Sequence, residues 1–252
     1  MSRSRLEKPL ARSRYDAVLF DLDGVLTDTA KLHAACWKRL FDDYLRGRSD
    51  ETDEPFVPFD VETDYRLYVD GKVREDGVRD FLASRGIELP EGSPDEPPGR
   101  ETVQSMGNRK DGYVNEVLAT DGVDAYESSV AVVRVLRAEG FKTAVVSSSR
   151  NCQAVLATAG IEELFDARVD GEVAGRLGLA GKPDPETFLT AAKQLGVEPA
   201  RAVVIEDAIS GVQAGRDGGF GLVIGVARHT DPGELTKHGA EIVVHDLGEL
   251  LG

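Results

Sequence analysis

Cysteine is scarce in this chain: Cys36 and Cys152 are its whole complement. They stand far apart, each inside a helix-like pattern. No disulfide framework or cysteine-based metal site is expected, and the default setting is a reducing, cytoplasmic one. Positive charge is also short, with 30 Lys and Arg against 45 Asp and Glu and a net charge of −15. That balance argues against nucleic acid or an anionic membrane as partner, and an anionic substrate would need a local positive pocket. No apolar run reaches bilayer-spanning length. The opening Met1-Ser2-Arg3-Ser4-Arg5 is basic without an apolar stretch behind it, unlike a secretory signal. Residues 1–14 therefore read as a flexible arm. What is present, 252 residues at 41% hydrophobic and 30% charged, suffices for one sizeable core, with or without a smaller inserted domain.

The second half alternates between strand and helix patterns. Residues 142–146, 202–205, 221–226 and 242–244 are short apolar runs of strand type, and 128–139, 151–159, 185–195 and 208–217 carry helical periodicity. Alternating strands and helices imply right-handed crossover units and a parallel sheet covered on both faces. The four apolar residues Ala17-Val18-Leu19-Phe20 read as a further strand of that sheet, buried on both sides. Residues 32–122 differ: helical patterns at 32–45, 74–85 and 103–119 are separated by polar, Pro-containing stretches at 48–64 and 89–100, read as long surface loops. The expected fold class is α/β, a Rossmann-like parallel-sheet core (15–32 and 123–252) carrying an inserted helical cap (33–122).

The chemistry gathers at strand ends. Asp21 and Asp23, in alternate positions after the first strand, point into one crevice, where open α/β sheets bind ligands, and Gly24 lets the chain turn sharply. Ser147-Ser148-Ser149 follows the strand ending at Val146, Lys182 precedes a helix, and Glu206-Asp207 follows the strand ending at Ile205. Carboxylates, hydroxyls and one lysine at one sheet edge suit a phosphoryl group and a hard divalent cation.

These residues, in this order, resemble the four motifs of the haloacid dehalogenase-like phosphotransferase superfamily. Within it, Asp21-Leu22-Asp23-Gly24-Val25-Leu26-Thr27-Asp28-Thr29-Ala30 with His33 and Trp37, Gly71-Lys72-Val73-Arg74-Glu75-Asp76, Asn108-Arg109-Lys110-Asp111-Gly112-Tyr113 and Ser147-Ser148-Ser149-Arg150-Asn151 look like the β-phosphoglucomutase branch. The resemblance implies an Mg2+-dependent exchange of β-glucose 1-phosphate and glucose 6-phosphate, with β-glucose 1,6-bisphosphate as intermediate and activator. It implies Asp21 as nucleophile and Asp23 as general acid/base, with Asp21, Asp23 (through its carbonyl), Glu206 and Asp207 around the metal. Ser147, the Ser148 amide and Lys182 would hold the transferring group, while Thr29 and His33 would position Asp23 and the sugar. Arg74 with Ser149, Arg150 and Asn151 would bind the distal phosphate, and Arg109 the sugar. One departure stands out: the family commonly has asparagine where Asp111 stands.

Single residues also carry plainer readings. Glu206-Asp207 is a favourable pair at a helix N-terminus, His33 an ordinary helix histidine, Arg74 the start of a solvated helix, Asp28 a helix cap. Arg109 and Lys110 form a charged face whose register toward a site the spacing leaves open. Trp37, Cys36 and Cys152 read as packing residues. A sugar-phosphate phosphatase of the same superfamily, and a non-catalytic binding protein retaining the fold, stay open beside the mutase, as does the sugar. The protein is expected to be a monomer.

Overall fold

The computed structural model describes residues 10–52 and 54–251. Strands β1 (Ala17–Phe20), β2 (Lys142–Val146), β3 (Ala167–Val169), β4 (Ala202–Glu206), β5 (Leu222–Val226) and β6 (Ile242–Val244) form one parallel sheet in the order β3-β2-β1-β4-β5-β6. From β1 the chain builds outward to β2 and β3, then returns to β1's other side to add β4. The strand order therefore reverses between β1 and β4, and a crevice opens beyond their C-terminal ends. Register is tight there, with Phe20 opposite Val145 on one side and Ile205 on the other.

All four residues of β1 are fully buried, as a central parallel strand requires. Alternation divides them. Ala17 and Leu19 join a core with Val204 of β4 and with Phe188, Leu195 and Val212 of the helices Glu186–Leu195 and Ile209–Asp217.

The described residues divide into two compact units, the one just described, built from the chain up to Asp28 and from Val123 onward, and a helical one, Thr29–Gly122. The helical unit thus begins four residues before the expected 33. It holds α1 (Ala30–Thr52), α2 (Arg74–Ser84), a π-helical turn at Tyr65–Val69 and α3 (Val103–Asp121). An aromatic cluster holds it together: Trp37 stacks on Phe41 at 5.2 Å, and Phe81 lies 4.1 Å from Phe41 and 4.9 Å from Phe59. The stretch expected to be a surface loop at 48–64 behaves otherwise at both ends. Helix α1 runs on to Thr52. Phe59 is buried, its N–H donating to Asp42 Oδ1 (2.8 Å) and its carbonyl accepting from Lys38 Nζ (2.9 Å). One aromatic side chain with a core to enter outweighs the polar residues around it.

Of the expected N-terminal arm, residues 1–9 lie outside the described residues. Residues 10–14 are not loose. Leu10 is buried, and Arg12 pairs with Asp16 at 2.6 Å while lying over the Phe141 ring. Cys36 and Cys152 are free and buried, in keeping with packing roles. Among the described residues, no helix is long and apolar enough to cross a membrane.

Candidate active site

Asp21 leaves β1 with its N–H still donating to Ile205 O (2.9 Å), so the ladder with β4 carries the residue to the reversal point. Lys182, fully buried, reaches the same place. Its ammonium donates to Asp21 Oδ1 (2.5 Å), Glu206 Oε1 (2.7 Å) and the Val146 carbonyl (3.1 Å), tying the ends of β1, β2 and β4 to one point. Burial would drive this ammonium's pKa down, but the carboxylates of Asp21 and Glu206 outweigh it and raise it instead. For Asp21, burial pushes the pKa well up, Lys182 opposes, and the neighbouring Glu206 and Asp23 add to the rise.

Asp21, Glu206 and Asp207, all buried, each present a carboxylate oxygen within 4.8 Å of the others. With Asp23 they make four carboxylates against one ammonium, an imbalance that suits a hard divalent cation. Within the set the roles differ. Both Glu206 oxygens are engaged, Oε1 by Lys182 and Oε2 by the Ala208 N–H (2.8 Å). The Asp23 carboxylate instead accepts from Ser147 Oγ (3.3 Å). Two glycines make room: a Cβ on Gly24 would overlap Asp207 Oδ2, and one on Gly211 would overlap Glu206 Oε1. At Gly24 the φ of +89° also excludes most side chains.

The serine turn after β2 folds on itself. Ser149 N–H donates to Ser147 Oγ and Asn151 N–H to Ser149 Oγ, both at 3.1 Å, and Gly171 N–H meets Ser149 O at 3.1 Å. Asn151 is 9% exposed, and its side-chain nitrogen Nδ2 has no hydrogen-bond partner. Ser148 and Arg150 stand in the same turn. The structure therefore gathers Asp21, Asp23, Ser147, Ser148, Ser149, Arg150, Asn151, Lys182, Glu206 and Asp207 along one edge of the sheet.

The helical unit holds Thr29, His33, Arg74 and Arg109. Thr29 and His33 are buried a turn apart at the start of α1, His33 N–H donating to Thr29 O (2.9 Å). Arg109, 39% exposed, is held by Asp43 (3.1 Å) and the Tyr113 hydroxyl (2.7 Å). The buried Lys110 turns inward to His33 Nδ1 (2.8 Å), with Trp37 5.2 Å below its ammonium. Lys110, not Arg109, thus accompanies His33. Consecutive helix residues point about 100° apart, and that register could be read only against the position of Trp37. Arg74 is 7% exposed and fully occupied inside the unit. It pairs with Glu75 (3.0 Å) and Asp111 and donates to Asn108 Oδ1 (2.6 Å), so it does not begin a solvated helix face. Asp28 accepts from the Tyr126 hydroxyl (2.8 Å).

A doubly wound sheet with paired carboxylates at its reversal point, a buried lysine bridging them and a serine turn alongside defines the phosphoryl-transfer architecture of the haloacid dehalogenase type. The chain belongs to the haloacid dehalogenase-like hydrolases, whose sequence profile matches residues 15–219, and within them to the β-phosphoglucomutase branch. It is 52% identical over 238 residues to a β-phosphoglucomutase of Mycobacterium bovis, covering 93% of this chain and 91% of that one. A phosphorylated carbohydrates phosphatase of Thermotoga maritima is 27% identical over 91% of this chain and 94% of its own. Among solved structures, a β-phosphoglucomutase of Clostridium difficile superposes with a TM-score of 0.72 at 26% identity, covering 94% of this chain and 93% of that one.

Proposed function

We propose that this chain is a β-phosphoglucomutase, moving a phosphoryl group between the 1- and 6-oxygens of glucose through an aspartyl phosphate on Asp21. The observation that carries this reading is the buried Asp21–Lys182–Glu206 bridge at the strand-order reversal; the 52% identity to a mutase along nearly the whole chain supports the choice of reaction.

With one Asp21 oxygen held by Lys182, the other attacks phosphorus. An O–P bond forms at Asp21, the bond from phosphorus to one sugar oxygen of the bisphosphate breaks, and Asp23 gives that oxygen a proton as a monophosphate is released. In the other half the free hydroxyl of a glucose monophosphate attacks the aspartyl phosphate while Asp23 takes its proton, re-forming the bisphosphate and freeing Asp21, so the acid and base are one residue used twice. Asp21, the Asp23 carbonyl and Asp207 would hold Mg2+, with Glu206 acting behind them, and the ion would supply neutralisation of phosphoryl charge. Ser147 and the Ser148 amide complete the cradle for the transferring group.

The distal phosphate of the bisphosphate falls to Ser149, Arg150 and Asn151, whose unpartnered Nδ2 is a buried donor in want of an acceptor. Arg74 contributes by exchanging the Asp111 carboxylate for a phosphate oxygen. His33 and Lys110 orient the sugar, and Thr29 orients Asp23. The occupied fork of Arg74, together with the phosphatase relative, favours a second reading in which water accepts the phosphoryl group.

One assay separates the two. The protein is given β-glucose 1-phosphate, Mg2+ and a trace of β-glucose 1,6-bisphosphate, and glucose 6-phosphate and free phosphate are followed together. Glucose 6-phosphate forming far faster than phosphate supports the mutase; stoichiometric phosphate release moves the assignment to a phosphatase.

A further inference from the structure

Three successive carbonyls of the loop after Asp23 are each held from outside that loop. Gly24 O accepts from Arg228 Nε (3.1 Å), Val25 O from Ser129 Oγ (2.7 Å) and Leu26 O from Tyr126 N–H (2.9 Å). From inside, the loop is closed by its own bonds, Gly24 N–H to Thr27 O and the N–H groups of Leu26 and Thr27 to Leu22 O. On its other flank the bare Cα of Gly24 lies against the Asp207 carboxylate. The loop is thus wedged between a residue of the carboxylate cluster and these three external donors.

Arg228 is the piece common to that outer grip. It follows β5 and is 13% exposed at its side chain. Besides Gly24 O it donates to Asp246 (2.8 Å) and Ser129 Oγ (3.4 Å), and its guanidinium lies 3.7 Å from the centre of the Tyr126 ring. Asp246 in turn accepts from Ser128 Oγ (2.8 Å). One planar cation therefore touches, or holds through one partner, every outside donor of the loop, a task for a rigid fork rather than a point charge.

We infer that Arg228 is a positioning residue for the catalytic loop: by fixing Gly24, one residue after Asp23, it sets the aim of Asp23 and its spacing from Asp207. The inference deepens the phosphotransfer reading above and rests on it for its kinetic consequence, while the grip itself is tested without turnover.

The experiment compares Arg228→Ala and Arg228→Lys with Arg137→Ala. Arg137 donates to Thr143 Oγ1, Leu164 O and Asp166 elsewhere on the fold, so its loss reports what destabilisation alone does. Amide hydrogen exchange at Gly24, Leu26 and Thr27 should accelerate about tenfold or more in Arg228→Ala, with β5 amides unchanged. The kcat should fall about 100-fold, as for a catalytic group displaced by roughly 1 Å, with KM for β-glucose 1-phosphate within about threefold. Arg228→Lys should lie between Ala and wild type on both readouts and serves if Arg228→Ala does not fold. Arg137→Ala should lower the unfolding midpoint yet leave loop exchange and kcat near wild type. Unchanged loop exchange in both Arg228 variants overturns the grip. Faster exchange with unchanged kcat, or an equal loss of kcat in Arg137→Ala, overturns the positioning role. If the wild type transfers no phosphoryl group, the reading of function fails, and the exchange arm still decides the grip.

Discussion

Lys110 Nζ lies 2.8 Å from His33 Nδ1, both side chains buried in the helical unit. An ammonium can only donate, so Nδ1 is the acceptor of this pair. Two adjacent residues of one helix are thereby separated in role: Lys110 fixes a histidine, while Arg109 braces Asp43 and Tyr113.

Lys110→Ala should therefore slow isomerisation about tenfold to 100-fold, the loss expected for a charge-assisted hydrogen bond of about 1.5–3 kcal/mol. Arg109→Ala should cost much less. Steady-state kinetics of the two variants side by side checks this; a larger loss from Arg109→Ala contradicts the register seen here.

The pairing of Arg74 with Asp111 and Glu75 makes a second prediction. Those carboxylates are 15% and 14% exposed at their side chains, so Arg74→Ala takes the guanidinium away from two largely buried anions. It should destabilise the protein by about 2–4 kcal/mol in chemical denaturation. Asp111→Asn keeps the shape and removes one competitor for the guanidinium, so binding of β-glucose 1,6-bisphosphate should tighten in calorimetry. Weaker binding contradicts the exchange proposed for Arg74.

Gly211 offers a test of the Lys182 bridge that touches no titratable residue. A Cβ there overlaps Glu206 Oε1, the oxygen that receives the Lys182 ammonium. Gly211→Ala must displace that carboxylate, and activity should fall by more than about tenfold, with a lowered unfolding temperature. Wild-type activity in this variant shows that the bridge is not required.

Acid should weaken the fold in part through Asp166 and Asp246. Burial would raise both carboxyls, but the Thr143 N–H and Arg137 at Asp166, and Ser128, the Gly248 N–H and Arg228 at Asp246, hold them below the usual carboxylate range. A depressed folded pKa means that the stabilisation is present above the unfolded value of about 3.9 and is lost as pH falls through the folded one. Urea midpoints measured from pH 6 downward should drop below about pH 4. That drop should be shallower in Asp166→Asn; an unaltered acid limb contradicts the assignment.

Much of the core was legible because its signals are local. An uninterrupted apolar run followed by acidic residues marks β1 and β4, and the small hydroxyl run marks the end of β2. What escaped depends on partners distant in sequence. Strand β3 has only three residues, two of them half-buried, and declares itself only by pairing Ala144–Val146 with Ala167–Val169. The Arg109/Lys110 register and the occupied Arg74 fork depend on Trp37, Glu75, Asn108 and Asp111 meeting across three helices. Arg228 carries no motif signal, since its partners (one backbone carbonyl, a carboxylate, a hydroxyl and an aromatic face) come from distant parts of the chain.

The central claim is that the phosphoryl group passes through Asp21, and trapping it there is the most direct test. Protein mixed with β-glucose 1,6-bisphosphate and Mg2+ is quenched in acid within milliseconds and reduced with isotopically labelled borohydride, which converts an aspartyl phosphate to labelled homoserine as phosphate leaves, and the label is mapped by mass spectrometry. The account predicts label at Asp21 appearing at least as fast as turnover, and neither label nor turnover in a folded Asp21→Asn variant, whose amide lacks the anionic oxygen that attacks phosphorus. Turnover in Asp21→Asn at a wild-type rate, or label on another residue, would contradict it.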